Sequence, residues 1–501
     1  MRKLSDYPDA HLRIFERPPV PEPEHIREIY LIGICGTGMG MLAGLLKEAG
    51  YTVRGSDRAA YPPMSTFLEA MGIPVYEGFD AAHLSPAPDL VVVGNACTPT
   101  HPEAAYAREH RMPQLSLPEA LKYFFLHDRR PLVVAGTHGK TTTSGLLAHL
   151  FTRAGESPGY FIGGVYQEGT PGFAKGSGPV FVIEGDEYDS AYFDKSPKFW
   201  HYQPHSAIVT SVEFDHADIY EDAEDYQQAF RQFVDRVSPE GLLLLYGDDA
   251  RVRELAQHTN ARVRFYGFEH PAVSVTAREV EHTDTGQHFT LVIDDEPVGR
   301  FLLPLSGKHN LLNALAALAL GVEEGLSIEA LQEGLATFKG MKRRQEVKGE
   351  INGVLVVDDF AHHPTAVRET IKAIRRRWPD RRLLAVFEPR SNTSRRKIFE
   401  QAYSEAFDEA HQVFLSVPPL RHNDNPEDFI DAYALSQRIL AREVQAQAFA
   451  SADELLPALL QAIRPGDVVL IMSNGNFDDL HEHLLEQLKA LPRSTAPMPP
   501  S

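Results

Sequence analysis

The stretch Leu132-Val133-Val134-Ala135-Gly136-Thr137-His138-Gly139-Lys140-Thr141-Thr142-Thr143 constrains the fold more than any other part of the chain. Four apolar residues predict a buried strand, two glycines a tight turn, and helical spacing then runs to Ala154, where Gly155 ends it. A strand that turns at once into a helix belongs to an α/β fold with a largely parallel sheet. Glycines let backbone N–H groups face a phosphate, and the helix behind them offers its positive N-terminus. Gly136, Thr137, His138, Gly139, Lys140, Thr141 and Thr142 are therefore candidate ATP contacts, with Lys140 at the terminal phosphates and Thr141 on a magnesium ion. The loop is shortened: the position five before Gly139 is Val134 rather than glycine.

A chain of 501 residues, 43% of them hydrophobic, is too long for one core and long enough for about three domains. Its formal net charge of -20 repels polyphosphate, so no nucleic-acid partner is expected and any phosphate site must be local. Cys35 and Cys97 are the two cysteines and lie in different motifs, which fits a reducing compartment and a cytoplasmic protein. No apolar run of about 18 residues occurs, so no membrane span is expected. Residues 1–25 lack a signal-like apolar segment. They and residues 491–501 are proline-rich and polar, and are expected to be flexible ends.

Between those ends the βα rhythm predicts three units. Residues 26–128 form a Rossmann-like module: a strand at 29–34, the turn Gly33-Ile34-Cys35-Gly36-Thr37-Gly38, a helix closed by Gly50, and a strand ending at Ser56-Asp57. Leu90-Val91-Val92-Val93 then runs into Gly94-Asn95-Ala96. Residues 129–342 form a central P-loop ATPase-type α/β domain whose strands deliver Glu184-Gly185-Asp186-Glu187 and Glu213-Phe214-Asp215-His216, followed by Asn310 and an alanine-rich helix. Residues 343–490 form a second Rossmann-like α/β domain, with strands stopping at Asp358-Asp359, Glu388-Pro389-Arg390 and Ser473-Asn474-Gly475. Open α/β sheets bind ligands at such carboxyl ends.

The first glycine turn, with Asp57 downstream, is like a dinucleotide fingerprint in which Cys35 replaces the second glycine. A nicotinamide site, a site for another diphosphate such as a nucleotide sugar, and a purely structural turn all fit. Glu184, Asp186, Glu187 and His216 are candidates for the magnesium shell, because that ion takes hard oxygen ligands. Asp358-Asp359-Phe360-Ala361-His362-His363-Pro364 is disfavoured as a zinc site, since no third ligand has metal spacing and adjacent histidines point apart; substrate or nucleotide contacts suit it better. Arg390, Asn392 and Thr393 suit a carboxylate, which guanidinium grips bidentately, with a surface salt bridge the lesser reading for Arg390 alone. The runs Arg375-Arg376-Arg377 and Arg395-Arg396-Lys397 read as solvated helix faces.

With these residues in place the chain resembles the Mur ligase family from about Ile29 to His483. The resemblance is carried by the first glycine turn, the loop from Ala135 to Thr143, the acids from Glu184 to Asp189, Glu213-Phe214-Asp215-His216, Gly307-Lys308-His309-Asn310, Arg343-Arg344 and residues 358–365. Two branches fit. One joins UDP-N-acetylmuramate to L-alanine in peptidoglycan biosynthesis; the other joins it to the tripeptide L-alanyl-γ-D-glutamyl-meso-diaminopimelate in recycling. Tyr61-Pro62-Pro63-Met64-Ser65, Gly94-Asn95-Ala96, Asp186-Glu187-Tyr188-Asp189 with Phe193-Asp194-Lys195, residues 388–393 and Met472-Ser473-Asn474-Gly475 look more like the tripeptide branch. The His-Arg pair usual near residue 388 in the alanine branch is absent.

The resemblance implies an ATP-dependent ligase working through an acyl phosphate, with Lys140 and His216 catalytic and magnesium held by Thr141, Glu184, Glu187 and His216. It puts Asn310, Arg343 and Asp358 on ATP, and His362, Arg390, Asn392 and Thr393 on the acceptor peptide. Gly33, Gly36, Thr37, Gly38, Asp57 and Asn95 would hold the UDP-sugar, which makes oxidoreduction the lesser reading. Many members hold a second magnesium with a carbamylated lysine; here no lysine lies between Lys198 and Lys308, so that device is absent. A nicotinamide dehydrogenase and a non-catalytic nucleotide sensor are the readings from other classes.

Overall fold

The computed structural model describes residues 12–217, 219–419 and 425–490; the expected tail 491–501 and residues 1–11 lie outside them. Its strands are short apolar runs buried on both faces, such as Leu90–Val93 and Val468–Met472, the pattern of parallel sheets covered by helices. Among the described residues they assemble into sheets of five, ten and six strands and a two-stranded ladder.

The first sheet is wholly parallel, in the order Val75–Glu77, Thr52–Asp57, Glu28–Ile32, Leu90–Val93, Gln114–Ser116. The direction of winding reverses at Glu28–Ile32, so the crevice at its carboxyl end is the expected ligand position. In the central sheet the strand Arg130–Ala135 lies between Ser206–Val209 and Val180–Gly185, all parallel. The third sheet runs Glu346–Ile351, Val354–Asp359, Val468–Met472, Leu383–Phe387, Gln412–Ser416, Gln445–Phe449, with only its first pair antiparallel.

The cores show how the sheets are joined and covered. One apolar cluster is shared: Leu45, Leu121 and Phe125 beside the first sheet pack with Phe181, Ile183, Phe199 and Phe230 on one face of the central sheet. The helices Lys140–Arg153 and Lys308–Glu323 cover the opposite face. Separate clusters cover the two faces of the third sheet.

Three features differ from the sequence-based expectations. Residues 12–24 are not loose: Arg17 pairs with Glu119 (2.9 Å) and lies 4.6 Å over the Phe193 ring, Phe15 stacks on Tyr192, and Tyr123 Oη donates to the Pro21 carbonyl (2.6 Å). Proline-rich composition denies a segment its own core, but here other elements supply the partners. Arg395 is buried rather than solvated, donating to the Pro419 carbonyl (2.9 Å) and covering Phe429. An antiparallel extension, Val273–Thr283, Gly286–Ile293 and Glu296–Leu303, widens the central sheet where no element was expected. Its second hairpin turns on Asp294 and Asp295, both at positive φ, without the glycine that ordinarily signals such a turn.

Candidate active site

Strand register builds the centre. Ala135 is paired with Val209 on one side and Gly185 on the other, so the loop at 136–143 leaves the sheet between the segments carrying Asp186–Glu187 and Glu213–His216. The loop needs its glycines. Gly136 has φ of 133°, and a Cβ there would come within 2.2 Å of Thr210 Oγ1; Gly139 is left-handed at 80° and faces Asn313 Oδ1. Thr137 Oγ1 donates to the Glu213 carbonyl (2.8 Å), and the His138 N–H donates to Ser211 Oγ (2.9 Å), which ties the loop to the neighbouring strand end. The helix then opens on Lys140 and Thr141, with Thr142 buried beside them.

Lys140 Nζ donates to both oxygens of Glu187 (3.0 and 2.8 Å). Glu187 Oε1 also lies 2.8 Å from His216 Nε2 and accepts from Tyr226 Oη (3.2 Å). Thr141 Oγ1 donates to Glu184 Oε1 (3.0 Å), whose other oxygen accepts from the Gly163 N–H (2.8 Å). Asp186 is held by Lys198 (2.6 Å). The four expected metal residues thus fall into two pairs, Thr141 with Glu184 and Glu187 with His216, with Lys140 between them.

Burial opposes every charge here, and the neighbours decide the sign. Burial alone would lower the Lys140 pKa, but Glu187, Asp186 and Glu184 raise it. Burial opposes ionisation of Glu187 and Asp186, yet Lys140 and His216 lower the first and Lys198 and Lys140 hold the second at about 2. His216 is raised against its burial by Asp215 and Glu187. Of the three acids Glu184, Asp186 and Glu187, only Glu184 is raised, by burial that Lys140 does not offset. A buried carboxylate short of positive charge beside a threonine hydroxyl is a hard-oxygen donor set, and it fits a magnesium ion.

The third sheet closes over this centre. Asp359, Met472 and Phe387 share one register, so the segments following the three strands converge. Arg343 Nε donates to Asp358 (3.3 Å), and its Nη2 donates to the Ser473 carbonyl (2.6 Å). Arg344 Nη2 reaches Thr141 Oγ1 (3.4 Å), Thr365 Oγ1 donates to Glu213 Oε2 (2.7 Å), and the Ala217 N–H donates to Thr393 Oγ1 (3.3 Å). His362 and His363 are pushed down by burial, His363 to about 3; Glu213 is held at about 2 against its burial by His138, Thr365 and His363. Arg390 sits beside Glu388 (3.3 Å) and against Gly475. Asn310 is turned inward, donating to the Ser306 carbonyl (2.8 Å), while Asn313 on the same helix is the amide that meets Gly139.

At the carboxyl end of the first sheet, Ile32 is paired with Ser56 and Val93, so the turn from Gly33 to Gly38, Asp57 and Asn95 share one edge. Asp57 Oδ2 accepts the Cys35 N–H (2.8 Å), and Ser56 O accepts from Gly33 and Ile34. Sequence reasoning assigned no role to Glu213, Asp215, Arg344, Asp359 or His363, although all five lie inside its motifs. Asn313 and Tyr226 carried no signal, since both lie inside helices and outside the strand-end motifs.

Comparison with known proteins agrees with this layout. Residues 28–129 match the model described as Mur ligase family, catalytic domain, residues 134–321 the Mur ligase middle domain, and residues 343–475 the Mur ligase, glutamate ligase domain. The UDP-N-acetylmuramate--L-alanyl-gamma-D-glutamyl-meso-2,6-diaminoheptandioate ligases of Haemophilus influenzae and Escherichia coli are 37% and 38% identical to this chain, over 93% and 92% of it and 100% and 98% of their own lengths. A UDP-N-acetylmuramate--L-alanine ligase of a Roseiflexus species is 34% identical over 92% of this chain and 99% of its own. The crystal structure of a murein peptide ligase from Psychrobacter arcticus covers 93% of the chain, and 99% of its own, with a TM-score of 0.69 at 33% identity. The shortened phosphate loop, the buried acids beside it and the matches across three successive segments lead to one conclusion: the chain belongs to the Mur ligase family, whose members are ATP-dependent amide-bond ligases.

Proposed function

We propose that this ligase joins the carboxylate of UDP-N-acetylmuramate to the free amine of L-alanyl-γ-D-glutamyl-meso-diaminopimelate, consuming ATP, in the recycling of murein peptides in the cytoplasm. The observation that carries the choice of acceptor is the end-to-end likeness to two ligases of that name.

The chemistry follows from what the residues can hold. A muramyl carboxylate oxygen attacks the γ-phosphorus of ATP and ADP leaves; the peptide amine then adds to the acyl carbon, and phosphate departs with one former carboxylate oxygen. Little covalent work falls to the protein, so positioning and electrostatics dominate. Lys140, already cationic, offers its ammonium to the phosphoryl group in flight. Thr141 and Glu184 are the residues that would hold magnesium, because the oxygens of Glu187 are engaged by Lys140, His216 and Tyr226, and Asp186 is taken by Lys198. When bound, magnesium supplies charge neutralisation on the phosphate oxygens. His216, whose pKa burial would lower but Asp215 and Glu187 raise, holds Glu187 Oε1 (2.8 Å) together with Lys140. Arg343 with Asp358, and Asn310, are assigned to the nucleotide; His362, Arg390, Asn392 and Thr393 to the peptide. Gly33, Gly36, Thr37, Gly38, Asp57 and Asn95 are assigned to the UDP-sugar, because they share the crevice edge of the first sheet.

Coupled phosphate release with ATP and UDP-N-acetylmuramate, comparing the tripeptide with free L-alanine, tests the assignment. The expected kcat/KM ratio favours the tripeptide by about tenfold or more. A preference for L-alanine moves the chain to the other branch, and nucleotide binding with no phosphate release makes it a sensor.

A further inference from the structure

His138, Glu213 and His363 come from three distant places in the sequence and meet at the seam between the central and third sheets. Glu213 Oε2 lies 3.6 Å from His138 Nε2 and 3.5 Å from His363 Nδ1, and one ligand atom from each residue falls within 4.8 Å of the others. The imidazole rings are 4.6 Å apart. Those gaps are too long for ordinary hydrogen bonds. They match a metal: ligand bonds of about 2.1 Å in a tetrahedral site set neighbouring ligand atoms about 3.4 Å apart.

The local bonding leaves these atoms available. His138 Nε2 is buried with no hydrogen-bond partner among the described residues. The Thr365 N–H approaches His363 Nδ1 at 3.4 Å, which makes Nδ1 the nitrogen with the lone pair, and that lone pair is only weakly used. Glu213 Oε2 accepts from Thr365 Oγ1 at 2.7 Å, the outer hydrogen bond that usually orients a ligating carboxylate. Two imidazoles and a carboxylate suit zinc-class ions and suit magnesium poorly. The set is distinct from Thr141 and Glu184, which offer oxygens only.

We propose that His138, Glu213 and His363 bind one zinc-class divalent transition-metal ion, with a fourth position open to water or a phosphate oxygen. Two ligands belong to the phosphate loop and the strand end beside it, and the third stands at the start of the helix Pro364–Arg377, where Nδ1 would exchange its 3.4 Å contact with the Thr365 N–H for the ion. The ion therefore ties the third sheet's layer to the loop and favours the closed arrangement. The inference goes beyond the ligase reading and does not depend on its acceptor.

The test is a titration of the full chain, stripped of metal and without nucleotide or sugar, using Co2+ alone. One equivalent should bind with the intense visible band of four- or five-coordination, and Zn2+ should displace it. His363→Asn keeps a capping side chain and Glu213→Gln keeps an acceptor for Thr365, so both should fold; each should weaken Co2+ binding by about tenfold or more. His138→Gln removes the imidazole nitrogen 3.6 Å from Glu213 Oε2 and should do the same. His216→Asn should leave the band in place. Zn2+ should raise the melting temperature of the parent chain by several degrees and leave that of His363→Asn unmoved. A weak octahedral band only, or Co2+ affinity indifferent to all three ligand substitutions, overturns the proposal.

Discussion

The chain uses the strand, glycine turn and helix twice, at residues 29–48 and 130–153, and the two copies differ in what surrounds them. At the first turn an acid faces inward: Asp57 accepts the Cys35 N–H, and no lysine occurs between residues 33 and 40. Gly33 is left-handed at 80°, but a Cβ there would meet nothing within 4 Å among the described residues. At the second turn Lys140 enters among buried acids, and Gly136 is wedged against Thr210. One backbone device therefore sits in two environments. The first turn is open at Gly33 and carries no lysine, as the proposed UDP-sugar site asks, whereas the second is crowded and charged, as the proposed phosphoryl transfer asks.

The largest effect that separates the two is catalytic. Lys140→Ala should cut phosphate release by about a thousandfold or more while UDP-sugar affinity, measured by calorimetry, persists; normal turnover would break the contrast. Next comes backbone strain. Gly136→Ala should cost about 3 kcal/mol in denaturant unfolding, since both its φ and the Thr210 contact oppose a side chain, and Gly33→Ala about 1 kcal/mol, since only φ does; equal costs would mean the turns are equally packed. A smaller effect falls on the first turn alone. Asp57→Asn should raise the KM for the UDP-sugar by about tenfold with kcat nearly unchanged, and a loss confined to kcat would assign Asp57 to chemistry instead.

The smallest effect lies on the two-stranded ladder formed by Asp189–Ala191 and Asp194–Pro197. Asp194 is held at about 2, against its burial, by His201 and by Ser196. A carboxyl lowered on folding stabilises the native state above its unfolded value of about 3.8 and loses that contribution as pH falls towards 2. Asp194→Asn should accordingly flatten the decline of stability between about pH 5 and 2, read by denaturant melts across that range.

Much of this was legible in the sequence because a strand end is a local signal. Lys140, Glu184, Glu187 and His216 each follow an apolar run, and parallel register alone brings their segments together. Pairings across sheets were not legible. Thr365 with Glu213 and Arg344 with Thr141 depend on how the third sheet closes on the second, and no periodicity encodes that. For the same reason a zinc reading at residues 358–364 found no third ligand: His363 meets His138 and Glu213, which lie more than a hundred residues away in the chain. The arm at residues 12–24 was misread because composition reports what a segment can bury by itself, whereas Arg17 and Phe15 are held by Glu119, Tyr192 and Phe193.

The central claim is that the crowded turn activates a carboxylate by phosphorylation. UDP-N-acetylmuramate labelled with oxygen-18 in its muramyl carboxylate, turned over with ATP and the tripeptide, tests it directly when the released phosphate is weighed by mass spectrometry. An acyl phosphate requires one labelled oxygen to appear in each phosphate formed from doubly labelled carboxylate. Phosphate released without label, alongside full product formation, would contradict it.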